Sequence, residues 1–125
     1  MRNNPDAQVQ TIPWSLGGCY TYKFQSVTGT NANVVKSTRG QLYGYTIFNN
    51  LNSEARICFH NNQAPAIGAN IKASFVLFKQ QPQLFSFPVG IEFDTAISFT
   101  LAMGFLDSTL TQATAGNITG VIFYR

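Results

Sequence analysis

The chain has 125 residues, a formal net charge of +3, and Asp, Glu, Lys or Arg at only 10% of positions, against roughly 25% in an average soluble domain. Hydrophobic residues make up 45% and aromatics 14%, which excludes a disordered chain and suits one domain with a core of its own. Beyond Arg2 the cations stand singly, at Lys23, Lys36, Arg39, Arg56, Lys72, Lys79 and Arg125, so no phosphate-tracking groove and no nucleic-acid partner are expected; no apolar run approaches the roughly 18 residues of a membrane span, so no membrane is expected either.

Residues 1–18 read as an extended N-terminal arm and residues 19–125 as a β-sandwich domain. The arm opens with turn chemistry at Asn3, Asn4, Pro5 and Asp6, and its first ten residues offer no apolar core of a secretory signal. Its apolar side chains gather at Ile12, Pro13, Trp14 and Leu16, just before Gly17-Gly18. Such a cluster suits docking, either back onto its own domain or onto a neighbouring subunit.

From Tyr20 onward the pattern is one strand after another. Tyr20, Tyr22 and Phe24 alternate with Thr21, Lys23 and Gln25, the period of two of a half-buried strand. Gly29, Asn31 and Asn33 mark a turn, a short strand is predicted at Val34–Thr38, and Leu42–Asn49 follows Arg39-Gly40. In Ala55–His60, Ala55, Ile57 and Phe59 oppose Arg56, Cys58 and His60. Pro65 places 61–68 in a loop. Asn70–Lys79 puts Ile71, Ala73, Phe75 and Leu77 on one face. Short strands are predicted at Leu84–Phe87 and Ile91–Phe93, separated by Pro88 and Gly90. Ala96–Met103 points Ile97, Phe99, Leu101 and Met103 inward, and a long connection over 104–116 leads to the last strand, Asn117–Arg125.

About eight short strands with long connections, and no Asn-Gly or Asp-Gly hairpin turns, predict an all-β fold: an antiparallel two-sheet sandwich of jelly-roll type. An immunoglobulin-like sandwich is disfavoured because Trp14 precedes both Cys19 and Cys58. An isolated cysteine pair argues weakly for a disulfide; Cys58 reads as a small buried hydrophobe and fits a reducing compartment.

Two strands break the alternation. In Leu42–Phe48 one face carries Tyr43, Tyr45 and Ile47, the other Leu42, Thr46 and Phe48. In Ile118–Tyr124 one face carries Ile118, Ile122 and Tyr124, the other Val121 and Phe123. One face of an antiparallel sheet normally meets water, so strands apolar on both faces need a second cover, by the arm, a loop or another subunit. The expected contact residues are Ile12, Trp14, Tyr43, Tyr45, Ile122 and Tyr124.

Signals for chemistry are thin. Cys58 and His60 share a strand face, but a zinc site needs three or four ligands, and His60 is the only histidine. Glu92 and Asp94 lie two apart and would line one wall, where a glycosidase sets its carboxylates across a cleft. No phosphate-binding glycine loop opens a helix. The expectation is a non-enzymatic protein with no catalytic residue, no cofactor and no metal. Tyr20, Tyr22, Tyr43, Tyr45 and Trp14 leave open a carbohydrate- or receptor-binding module.

The run VKSTRGQLYGYTIFN over Val35–Asn49 resembles small structural proteins of tailed bacteriophages. In their pattern a Val-Lys strand turns at Gly and re-enters through Leu-Tyr toward Asn, here Val35, Lys36, Gly40, Leu42, Tyr43 and Asn49. Gly90-Ile91-Glu92-Phe93 with Ala96-Ile97-Ser98 is similar, as is Asp107-Ser108-Thr109 followed by Ala115-Gly116 and a last strand through Tyr124. The resemblance covers about Val34 to Arg125. It implies a virion protein of head-decoration, cement or short-fibre type, often a homotrimer of β-sandwich subunits, with the phage major capsid protein as partner. It further implies a place on the capsid surface after assembly in the cytoplasm of the host bacterium.

Overall fold

A computed structural model describes residues 18–27, 31–104, 106, 110–113 and 117–125. Among them every regular element is a strand: β1 (Tyr20–Gln25), β2 (Ala32–Lys36), β3 (Gly40–Asn49), β4 (Ala55–His60), β5 (Ile71–Leu77), β6 (Gln81–Phe93), β7 (Ile97–Met103), β8 (Thr111–Gln112) and β9 (Ile118–Tyr124). They form two antiparallel sheets. The first has the order β1-β9-β3-β6 and the second β2-β7-β4-β5, with the two-residue β8 beside β7. Most links between successive long strands cross from one sheet to the other, which gives the strand order of a jelly roll. Crossing links explain the lack of two-residue hairpin turns: only β4 and β5 are long strands that are both consecutive and paired, through loop 61–70.

Alternating apolar positions face each other between the sheets. Leu42, Tyr45, Ile47, Ile57, Phe59, Phe93, Ile97, Phe99, Leu101, Ile118 and Ile122 are buried there, each large side chain contributing roughly 1.5–3 kcal/mol of transfer free energy. An aromatic chain crosses the layer. Phe24 lies 4.8 Å from Phe99 between ring centroids, Phe99 contacts Phe59, and Phe59 leads through Phe75 to Phe85 and Phe87 at the far edge. The abundance of Phe over Tyr and Trp is thus used for filling.

Buried polar groups tie the crossovers down. Asn49 donates to the carbonyls of Leu77 (2.9 Å) and Ser53 (3.1 Å) and accepts from the Leu51 amide (2.9 Å). Asn31 donates to the carbonyls of Val27 and Ala113 and accepts from the Val27 amide at 2.7 Å. A buried amide is tolerated only when its donors and acceptor are met, and both side chains hold loops against strand ends.

The structure corrects several boundaries. The second strand starts two residues earlier than predicted, at Ala32. Leu84–Phe87 and Ile91–Phe93 are parts of one strand, β6. Pro82 and Pro88 are accommodated because β6 is an edge and needs ladder hydrogen bonds on one side only. Between the pairs Leu42↔Ile91 and Gly44↔Ser86, β3 supplies one residue and β6 four, a wide bulge that pushes Val89 out to 85% exposure.

This bulge also overturns the face assignment in β3. Leu42 joins Tyr45 and Ile47 inside, and Tyr43 moves to the outer side with Thr46 and Phe48. Gly44 permits the shift. Its φ is +154°, and a β-carbon there would overlap the carbonyl oxygen of Phe85. Gly90, at φ +78°, closes the bulge against the ring of Tyr43, which a β-carbon would meet at 3.1 Å.

Candidate interaction surface

The outer face of the first sheet can be followed row by row from the strand register. Thr21 of β1 pairs with Phe123 of β9, which lies opposite Gly44 of β3, itself opposite Ser86 of β6. Lys23 leads in the same way to Val121, Thr46 and Leu84, and Gln25 to Thr119, Phe48 and Pro82. Lys23 is the one charged side chain in these three rows, and it stands on the edge strand. Leu84 is 73% exposed and Phe48 39%. Cys19, Tyr43, Leu84, Phe85, Ser86 and Phe123 line an open hollow of about 360 Å³. At the β6 edge Phe85 and Phe87 turn to the inner side toward Phe75, their rings parallel at 6.2 Å. Exposed apolar side chains gathered on one face in this way mark a candidate contact surface.

The cause lies in the sequence of the two central strands. β3 and β9 are neighbours, so the two segments that are apolar on both sides lie side by side. Their inner residues complete the core, and their outer residues, Phe48, Val121 and Phe123, form the patch. Leu84 joins it because Leu84 and Ser86 alternate outward along β6 against Phe85 and Phe87.

The expected contact residues divide. Tyr43 lies on this face, half-buried, with its hydroxyl donating to the side-chain oxygen of Gln41. Tyr45 and Ile122 do not: both are fully buried between the sheets, which removes them from the contact set. Tyr124 also points to the inner side, packed against the core with its ring 5.7 Å from Tyr20. Ile12 and Trp14, with the rest of the arm up to Gly17, lie outside the described residues, as do Asp107, Ser108, Thr109, Ala115 and Gly116. Phe48, Leu84, Val121 and Phe123 are the apolar side chains that this face leaves exposed or half-exposed, and the apolar outer register of each strand is the sequence signal for them.

The tyrosines do not assemble into a sugar-stacking platform. Tyr22 faces inward and donates to Asn33 Oδ1 at 3.2 Å, Tyr45 is in the core, and Tyr20 packs at a tilt against Tyr124 beneath the Arg125 guanidinium. Tyr43 alone of the four reaches the apolar face.

The reactive-looking groups are each engaged structurally. His60 is fully buried; Nδ1 bonds the carbonyl of Ala69 and Nε2 the Thr100 hydroxyl, both at 2.9 Å. With a carbonyl as partner, Nδ1 carries the proton, and Nε2 accepts from Thr100. The ring thereby fastens loop 61–70 over the outer side of the second sheet, where the Ser98 hydroxyl also donates to the carbonyls of His60 and Asn62. Burial lowers the His60 pKa below the ordinary histidine value, offset in part by the carbonyls of Ala69 and Asn70. Among the described residues no three His, Cys, Asp or Glu side chains gather as metal ligands would.

Glu92 pairs with Arg39 at 3.2 Å on the surface. Asp94 lies just beyond β6 and accepts from Asn61 (2.6 Å) and Thr95 (3.1 Å), and these bonds hold its carboxyl below the usual range. That direction is the opposite of what a general acid requires.

No protein-family model, no curated protein and no solved structure matches this chain.

Proposed function

We propose that the chain is a non-enzymatic structural protein of a bacteriophage virion, a head decoration or cement protein that clamps neighbouring major capsid subunits and self-associates as a homotrimer on the capsid surface. The observation that carries this reading is the apolar outer face of the first sheet, with Phe48, Leu84, Val121 and Phe123 exposed or half-exposed around a single lysine. A sheet face of this composition suits binding to another protein surface. Standard interfaces bury about 800 Å² per partner, and a trimer multiplies such contacts. The scarcity of charge elsewhere acts in the same direction, because Asn, Gln, Ser and Thr form hydrogen bonds at an interface with less desolvation cost than ions. The resemblance to tailed-phage structural proteins over Val34–Arg125 supplies the kind of partner.

Two measurements test the proposal together. Light scattering of the purified chain is expected to give the mass of a trimer, and sedimentation with emptied phage heads is expected to carry the protein into the pellet at fixed stoichiometry. A monomer at high micromolar concentration that stays in the supernatant would refute it.

A further inference from the structure

We propose that the free edge of β6 pairs with the same edge of a second copy of this chain, antiparallel and two-fold about Phe85. Among the described residues β6 is the last strand of the first sheet, and the register shows which backbone groups it leaves free. In an antiparallel ladder, hydrogen-bonded and non-bonded pairs alternate. Pro82 lacks an N–H, so Pro82↔Phe48 is a non-bonded pair and Gln83↔Ile47 and Phe85↔Tyr45 carry the bonds. The N–H and C=O of Leu84 and Ser86 then point away from β3, in the plane of the sheet. The far side of β3 agrees. The Asn50 amide donates to the Asn117 carbonyl, and a β-carbon on Gly120 of β9 would meet the Thr46 carbonyl oxygen, so the even-numbered residues of β3 turn to β9. The neighbouring edge, β5, is capped at its end. Gln83 Nε2 donates to the Val76 carbonyl at 2.9 Å and its Oε1 accepts from the Phe78 amide at 2.5 Å, as a strand laid there would. Among the described residues no side chain does this for Leu84 or Ser86.

The sequence of this edge is self-complementary, which selects a second copy as the occupant. Pro82 and Pro88 each stand three residues from Phe85. Pairing Phe85 with Phe85 of the partner subunit sets Leu84 against the partner's Ser86 and Pro82 against the partner's Pro88. Leu84 and Ser86 of the two copies then exchange about four hydrogen bonds. Proline stops the ladder at both ends, and at one of them the bulge that exposes Val89 also turns the strand aside. From Gln80 to Ile91 there is no charged side chain, so two such edges meet without like-charge repulsion, and the lysine that commonly guards an edge is missing. Phe85 is 42% exposed although its ring turns inward toward Phe75; on the two-fold axis it meets its counterpart. The added strand lies beside β6 and covers none of Phe48, Leu84, Val121 or Phe123. A two-fold axis normal to the sheet keeps both apolar faces on one side, as a single surface twice as wide. The contact goes beyond the proposed trimer: it is isologous and links copies that belong to different trimers.

Cysteine cross-linking reads the register, in a Cys19→Ser background that keeps only the buried Cys58. Phe85 and its counterpart form a non-bonded pair with Cα atoms about 4.5 Å apart, within disulfide range. Ser86 and its counterpart are diagonal neighbours about 7–8 Å apart, beyond that range. Mild oxidation of Phe85→Cys is expected to give a covalent dimer on a non-reducing gel, and oxidation of Ser86→Cys several-fold less of it. Sedimentation velocity supplies a second readout. At high concentration the unaltered chain is expected to associate further than Ser86→Pro, which removes a donor from the free edge and leaves the β3 ladder and the outer apolar side chains as they were. Circular dichroism confirms that each variant is folded, and sedimentation alone decides if Phe85→Cys is not. A folded Phe85→Cys chain that stays unlinked, or sedimentation indifferent to Ser86→Pro, overturns the proposal. Linking that is as strong in Ser86→Cys overturns it too and assigns the contact to the outer faces. Pelleting with emptied phage heads is a separate readout, so this inference and the decoration role can fail independently.

Discussion

Gly44 of β3 and the carbonyl oxygen of Phe85 on β6 are so close that a β-carbon on Gly44 would overlap that oxygen. The position therefore decides which side of the sheet Tyr43 occupies. Gly44→Ala is expected to lower unfolding free energy by about 2–4 kcal/mol, from backbone strain at positive φ and steric overlap together. Urea denaturation measures it. A loss below about 0.5 kcal/mol, the range of an inert surface change, would contradict the bulge geometry.

Tyr45 is fully buried in the centre of the core, and its hydroxyl makes no hydrogen bond among the described residues. Burial drives its pKa far above that of a free phenol. Tyr45→Phe keeps the ring contacts with Phe59, Phe75 and Phe85 and removes the desolvated hydroxyl. The variant is expected to be more stable, by about 1 kcal/mol. A loss of stability of that size in thermal or urea unfolding would mean that the hydroxyl has a partner.

His60 predicts a dependence on pH. Its folded-state pKa lies below the ordinary value of 6.5, so the unfolded chain binds the proton more tightly. The stability tied to the neutral ring is complete above about pH 6.5 and is lost as pH falls below it toward the folded-state pKa. Urea midpoints taken from pH 8 to 5 are expected to decline across the lower part of that range, and His60→Gln is expected to flatten this component. An equal slope in both proteins would place the titration elsewhere.

Phe48 tests the outer face of the first sheet. Its side chain lies on the water side of β3, opposite Pro82 and Thr119. Phe48→Lys is expected to change monomer stability by no more than about 0.5 kcal/mol and to weaken self-association and binding to phage heads. Sedimentation velocity and pelleting read the two effects. Unchanged assembly would move the interface off this sheet.

The inner residues of β1, β4, β5 and β7 were legible because period-two alternation survives wherever one side of a strand is apolar and the other polar. Phe24, Ile57, Phe59, Phe99 and Leu101 lie inside as their spacing predicts. The same logic failed in β3. One bulge shifts alternation by a residue, and nothing local in LYGYTIF distinguishes a regular strand from one interrupted at Gly44. Tyr45 and Ile122 were misassigned as contacts for a related reason: in a strand that is apolar on both sides, periodicity separates two faces without saying which is inner.

Composition and spacing by themselves determined that this chain is a β-sandwich with few charges and that two of its strands are apolar on both sides, since those properties belong to single segments. Only the tertiary structure decided that those two strands are neighbours, that their outer residues merge with Leu84 into one surface, and that His60 is bonded on both ring nitrogens. Each of these depends on pairing between residues far apart in the chain, and strand order is set by how the two sheets close over a common core.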